Sequence, residues 1–193
     1  MLPILSLLLI VLQAAADAPH IRVPQTSSAV MIDGVLSEGE WQHAVCVDVP
    51  DTARLYFQRS ADFVYIAVQY TKSPSGIVDL YVSPRDGEIF DLHASAKLGE
   101  RQLLSNAFPD WSWWNNRDWT ANISRVDSFE KRTFFPAPIR EYQIRYSRFG
   151  SSAWRVRFDL TAMGVNNDTQ ARTIFPPDTS DNPTAGWLQL NLE

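Results

Sequence analysis

The chain has 193 residues, 17 Lys and Arg against 22 Asp and Glu, a formal net charge of −5, one Cys and seven Trp. Such a length fits one domain with a sizeable core, and 45% apolar content excludes a disordered chain. The acidic balance excludes the basic footprint of a nucleic-acid binder, and the single cysteine excludes a disulfide framework or a cysteine-built zinc site.

Residues 1–18 open with an apolar run, Ile4 to Leu12, broken only by Ser6 and followed by Ala14-Ala15-Ala16-Asp17-Ala18. The run is too short for a bilayer, which takes about 20 helical residues. It reads as a signal peptide cleaved after Ala16 or Ala18, which predicts a secreted or periplasmic protein with one domain over 19–193. No later stretch is long and apolar enough to predict a transmembrane helix.

The next segment, 29–33, reads as a strand closed by the turn signal Asp33-Gly34. Residues 37–43 read as one helical turn, with Ser37 and Glu40 at capping-box spacing and Trp41 placed to plug the fold. A strand at 44–49 carries Cys46 among apolar neighbours, which predicts a buried, inert thiol. Strands at 52–58 and 62–70 are joined tightly by Arg59-Ser60-Ala61. In the second of them Val64, Ile66, Val68 and Tyr70 share a face. Strand 77–82 leads through Pro84-Arg85-Asp86-Gly87, a hairpin signal, into 88–94 and then 97–104. Further strands fall at 120–126, 139–146, 153–160 and the C-terminal 188–192. In 153–160, Trp154, Val156, Phe158 and Leu160 face one way, with Arg155 and Arg157 on a solvated side. About ten short strands without long helical periodicity predict an all-β sandwich of jelly-roll type. Long loops are predicted at 105–119, 127–138 and 161–185, and Trp41, Trp154 and Trp187 are predicted core residues.

Catalytic signatures are missing from the pattern: no Gly-x-Ser-x-Gly, no His-Glu-x-x-His and no phosphate-cradling glycine loop. His20, His43 and His93 show no ligand spacing, so the expectation is a protein that is not an enzyme. The aromatics are more specific. Trp111, Trp113, Trp114 and Trp119 lie within nine positions, interleaved with Asn115, Asn116 and Arg117. An indole covers the flat C–H face of a sugar while Asn and Arg bond its hydroxyl rim, so this loop predicts saccharide binding. Asp178, Asp181 and Asn182 offer hard oxygen ligands for a structural Ca²⁺. Asn122-Ile-Ser124 and Asn167-Asp-Thr169 are glycosylation sequons.

The stretch Val30-Met-Ile-Asp-Gly-Val-Leu-Ser-Glu-Gly-Glu-Trp-Gln-His-Ala44 resembles the opening signature of carbohydrate-binding module family 9 and its DOMON-like relatives, matching I-D-G-x-L-x-E-x-x-W-x-x-A throughout. Thr52-Ala-Arg-Leu-Tyr-Phe, Phe63-Val-Tyr-Ile-Ala-Val, Val78-Asp-Leu-Tyr-Val-Ser-Pro and Trp154-Arg-Val-Arg-Phe-Asp-Leu-Thr-Ala-Met-Gly164 are similar to later family strands. Arg155 stands where the family pattern has Glu. The resemblance implies a β-sandwich, often calcium-stabilised, that holds saccharide ends between two Trp rings and works beside a glycoside hydrolase in carbohydrate catabolism. Three alternatives stay open: an envelope or structural protein whose Trp loop contacts a protein partner, a DOMON-type redox domain with haem held by Met and His, for which Met31 and Met163 are the methionines, and a hydrolase in its own right, for which the sequence nominates no acid and base.

Overall fold

The computed structural model describes residues 19–104, 107–113, 118–123, 137–166, 168–177 and 184–193. The predicted signal peptide, residues 1–18, lies outside them. The described residues form two facing sheets. The larger has the order β1 (His20–Arg22), β13 (Leu188–Asn191), β11 (Ala153–Met163), β5 (Ser75–Ser83), β6 (Phe90–Ala94), β7 (Leu98–Gln102) and β8 (Ser112–Trp113). β12 (Thr169–Phe175) pairs with the C-terminal half of β11. The smaller has the order β2 (Val45–Val49), β3 (Ala53–Arg59), β4 (Phe63–Tyr70), β10 (Ile139–Arg145) and β9 (Trp119–Ala121). Pairing between named strands is antiparallel except for β1 with β13. Two one-turn helices complete the set, α1 (Glu38–Trp41) and α2 (Tyr146–Phe149).

Period-two patterning builds the interior. Val64, Ile66, Val68 and Tyr70 of β4 meet Trp154, Val156, Phe158 and Leu160 of β11 in one cluster, joined by Leu188, Leu190 and Leu192. Burying each large apolar side chain contributes about 1.5–3 kcal/mol, so the two central strands hold the sheets together. Turns fall where the small residues predict them, with Gly87 at φ +80° between β5 and β6 and Gly34 at φ +86°.

The N-terminal segment does something the strand pattern does not predict. Residues 29–33 are not a strand but part of a cover over the outer face of the smaller sheet, where Val30 and Trp41 pack on Tyr65 and Ala67. The predicted helical turn is present as α1, with no side-chain cap at Ser37. Cys46 is exposed rather than buried, because β2 is an edge strand and its outer side is left uncovered. Segment 161–185 is not one loop. β11 runs on to Met163, and β12 follows as an edge strand whose exposed side chains give no apolar alternation. β8 likewise falls within the predicted loop 105–119.

Candidate functional site

Alternation on the larger sheet turns one row of side chains after another on β5, β6, β7 and β11 away from the core. Cross-strand register aligns Asp159, Asp79, His93, Gly99 and Trp113 in one row across five strands. Arg157, Tyr81, Asp91 and Arg101 make the neighbouring row. Arg157 is therefore not on a plainly solvated face: its guanidinium lies 4.7 Å from the Tyr81 ring centre and 5.1 Å from that of Trp187. Arg155 bonds Thr184 Oγ1 at 3.0 Å and pairs with Asp86. Trp41, Trp154 and Trp187 are all buried, but Trp187 packs on Tyr81 and Ile89 of this outer face instead of the interior.

The segment 107–113 lies over the far end of the face. Trp111 and Trp113 stack on each other, 5.6 Å between ring centres at 29°. This is contact distance for an aromatic pair, so no ring fits between them. Gly99 makes the arrangement possible, since a Cβ there would sit 3.0 Å from Trp113 and 3.1 Å from Trp111 ring atoms. The Arg101 guanidinium lies 4.1 Å from the Trp111 ring centre and donates from Nε to Asp91 at 2.8 Å. Asp91 is fully buried, and that burial, with Asp79 nearby, pushes its carboxyl up to about 7. Trp113 stays 51% exposed, with the Lys97 ammonium 5.6 Å from its ring centre.

Two concavities adjoin this stack. A groove of about 470 Å³ is lined by Trp113, Leu98, Lys97, Thr120, Ala121 and Ile123. A polar cleft of about 450 Å³ lies at the β7–β8 edge, where Glu100, Arg101, Asp110, Ser112 and Arg148 converge. Glu100 and Arg148 form an ion pair in it, and Arg148 also reaches Asp118 at 3.5 Å.

The predicted loop residues therefore divide. Trp111 and Trp113 come together at the surface. Trp119 does not join them: it is 6% exposed, stacks on Tyr142 and donates its indole N–H to Glu100 at 2.6 Å. Its place in β9 puts it inside the sandwich. Trp114, Asn115, Asn116 and Arg117 lie outside the described residues, as do the proposed calcium ligands Asp178, Asp181 and Asn182. Among the described residues no group of three or more His, Cys, Asp or Glu is placed to hold a metal. Of the ligands the haem alternative would draw on, Met31 is 62% exposed, and both ring nitrogens of His93 are engaged by neighbouring side chains. Sequence reasoning missed Glu100, Arg148 and the Asp79–His93 pair, because cross-strand register joins residues far apart in the chain.

No protein-family model and no curated protein matches the chain. Two solved structures do. A carbohydrate binding module of family 9 from Caldicellulosiruptor kristjanssonii, in complex with cellotriose, aligns at 14% identity and a TM-score of 0.49, over 89% of this chain and 93% of its own. A protein from Bacteroides uniformis, described as a candidate carbohydrate-binding protein, aligns at 10% identity and a TM-score of 0.50, over 91% of this chain and all of its own. At that identity the second likeness is one of fold, a two-sheet β-sandwich. Among the described residues no helix is long and apolar enough to cross a membrane.

Proposed function

We propose that this protein binds saccharide on the Trp111–Trp113 stack, with the sugar's C–H face against the exposed side of Trp113 and its hydroxyls turned toward the adjoining polar cleft. The observation that carries the reading is a half-exposed indole, 51% accessible, that stands on a second indole and lines the groove of Leu98, Thr120 and Ile123. An exposed Trp costs hydrophobic free energy unless a ligand covers it. Lys97, Asp110, Ser112, Glu100 and Arg148 supply donors and acceptors for a hydroxyl rim. The described nature of the Bacteroides uniformis protein agrees with the same reading. Trp114, Asn115, Asn116 and Arg117 follow Trp113 directly and belong to the proposed site on sequence grounds. The reading includes export by the leader 1–18, a structural Ca²⁺ at Asp178, Asp181 and Asn182, and action beside a glycoside hydrolase or an envelope protein.

The test is titration with a panel of mono- and oligosaccharides, glucose oligomers among them, with and without Ca²⁺, followed by tryptophan fluorescence. Saturable binding to one class is expected. Trp113→Ala should weaken it at least tenfold, about 1.4 kcal/mol, while Met31→Ala, at an exposed position on another segment, should leave it unchanged. No saturation across the panel, or an unchanged affinity in Trp113→Ala, overturns the reading and makes the Trp113–Ile123 groove a protein-contact surface.

A further inference from the structure

Asp79, His93 and Ser95 form a hydrogen-bonded relay beside the indole stack that saccharide stacking does not require. Asp79 of β5 and His93 of β6 are direct cross-strand partners, and Ser95 follows His93 by two positions in the turn that leads to β7. His93 Nδ1 lies 2.6 Å from Asp79 Oδ1, and His93 Nε2 lies 2.8 Å from Ser95 Oγ. In the tautomer that donates its Nδ1–H to Asp79, His93 Nε2 is the nitrogen that accepts the Ser95 hydroxyl. That is the order of groups an activated serine needs: nucleophile, base, and a third residue orienting the base.

The surroundings hold the relay in place. The His93 ring sits against Trp111 and Trp113, at 5.3 and 6.0 Å between centres, and its side chain is 15% exposed. Asp159, opposite Asp79 in register, is engaged by Arg172 Nε at 2.8 Å, which leaves Asp79 to His93. Ser95 is half-buried at the hairpin tip, where its Oγ also accepts the Lys97 N–H at 3.3 Å and lies 3.4 Å from the Lys97 carbonyl oxygen. The N–H of the next residue, Ala96, is not used by the hairpin's own hydrogen bonds. The Lys97 ammonium stands on the same side, over Trp113. A backbone N–H just after the nucleophile and a nearby cation are the donors a developing oxyanion takes.

We propose that Ser95 is a catalytic nucleophile, with His93 as its general base and Asp79 as a positioning residue, and that the protein deacylates O-acylated saccharides. The ester chemistry stands on the relay; the saccharide half of the substrate rests on the binding reading above. Ser95 Oγ forms a bond to the acyl carbon as its proton passes to His93 Nε2. The ester C–O bond breaks, and His93 returns that proton to the departing sugar oxygen. Water, deprotonated by His93, then attacks acyl-Ser95 and releases the carboxylic acid with Ser95 restored. No oxidant, metal or cofactor enters the balance.

The experiment is labelling of the protein with a fluorophosphonate probe, mapped by peptide mass, together with hydrolysis of p-nitrophenyl acetate and of O-acetylated glucose oligomers. One adduct per chain on Ser95 is expected, absent in Ser95→Ala and at least tenfold slower to form in His93→Ala. Hydrolysis should fall in parallel. Asp79→Asn, which favours the other imidazole tautomer, should lower the rate and change its pH profile, a response that a merely structural role would not give. A cooperative melting transition in Ser95→Ala shows that the variant is folded when its loss of activity is read. No adduct on Ser95, or ester hydrolysis equal in Ser95→Ala and wild type, overturns the proposal whether or not saccharide binds. An adduct on Ser95 with no faster turnover of the acetylated oligomer than of p-nitrophenyl acetate upholds the nucleophile and overturns the saccharide substrate.

Discussion

Glu141 has no exposed surface, and its two carboxylate oxygens accept three hydrogen bonds from the N-terminal cover: Asp33 N–H at 3.0 Å, Gly34 N–H at 2.6 Å and the Trp41 indole at 2.9 Å. Three fixed residues of the opening motif, Asp33, Gly34 and Trp41, thus converge on one carboxyl of β10. Gly34 needs its positive φ, and a Cβ there would meet Asn122 Nδ2 at 2.8 Å. Asn122 in turn accepts the Glu141 backbone N–H at 2.6 Å. Glu141→Ala should cost about 3 kcal/mol by leaving three donors unpaired. At this chain length that lowers the melting temperature by about 6–12 °C, measurable by calorimetry. Glu141→Gln keeps one accepting oxygen and should cost roughly half as much. The motif itself was visible in the sequence. Its partner was not, because Glu141 lies 100 positions from Trp41 and has no pattern of its own.

Among elements, the β7–β8 hairpin and β9 carry the contrast between binding and packing. Trp113 and Trp119 are six positions apart, yet one stands on the surface and the other is stacked on Tyr142 in the core. Trp119→Ala should cost about 3–5 kcal/mol through the cavity and the lost indole hydrogen bond to Glu100. Trp113→Ala should change stability by less than about 1 kcal/mol. Urea denaturation of the two variants checks this; equal destabilisation would show that Trp113 is also core. Composition placed four tryptophans in one segment but not their division, since β9 is three residues long and too short for alternation to register. β12 escaped notice for a related reason: its side chains are mostly exposed, so its strand state is decided by pairing with β11. The central strands were legible because both β4 and β11 bury one full alternating face.

Over the whole molecule, two buried carboxyls set a pH dependence. Desolvation raises Glu141 from 4.5 to about 7 and Asp91 from 3.8 to about 7. A raised carboxyl pKa means that the folded state binds more protons than the unfolded state between about pH 4 and 7. Stability from these groups is thus complete below about pH 4 and is lost as pH rises through 7. Together they should lower the unfolding free energy by a few kcal/mol between pH 5 and 8, read as a falling urea midpoint. The double variant Asp91→Asn, Glu141→Gln should flatten that slope, and a midpoint that rises with pH in the wild type would contradict the assignment.

Alternating apolar residues, turn glycines and the Trp41 motif are local, and each acts within a few residues of itself. They determine that this chain makes strands, that the strands bury one face, and that the result is a β-sandwich. Register and layer order are not local. They pair Asp79 with His93, lay Trp111 and Trp113 across Gly99, send Trp119 inward and bring Glu141 under the opening motif. These arrangements depend on which strands become neighbours, and that is settled by packing the two sheets against each other. The fold class was therefore written in the pattern of residues, while the site was decided by tertiary structure.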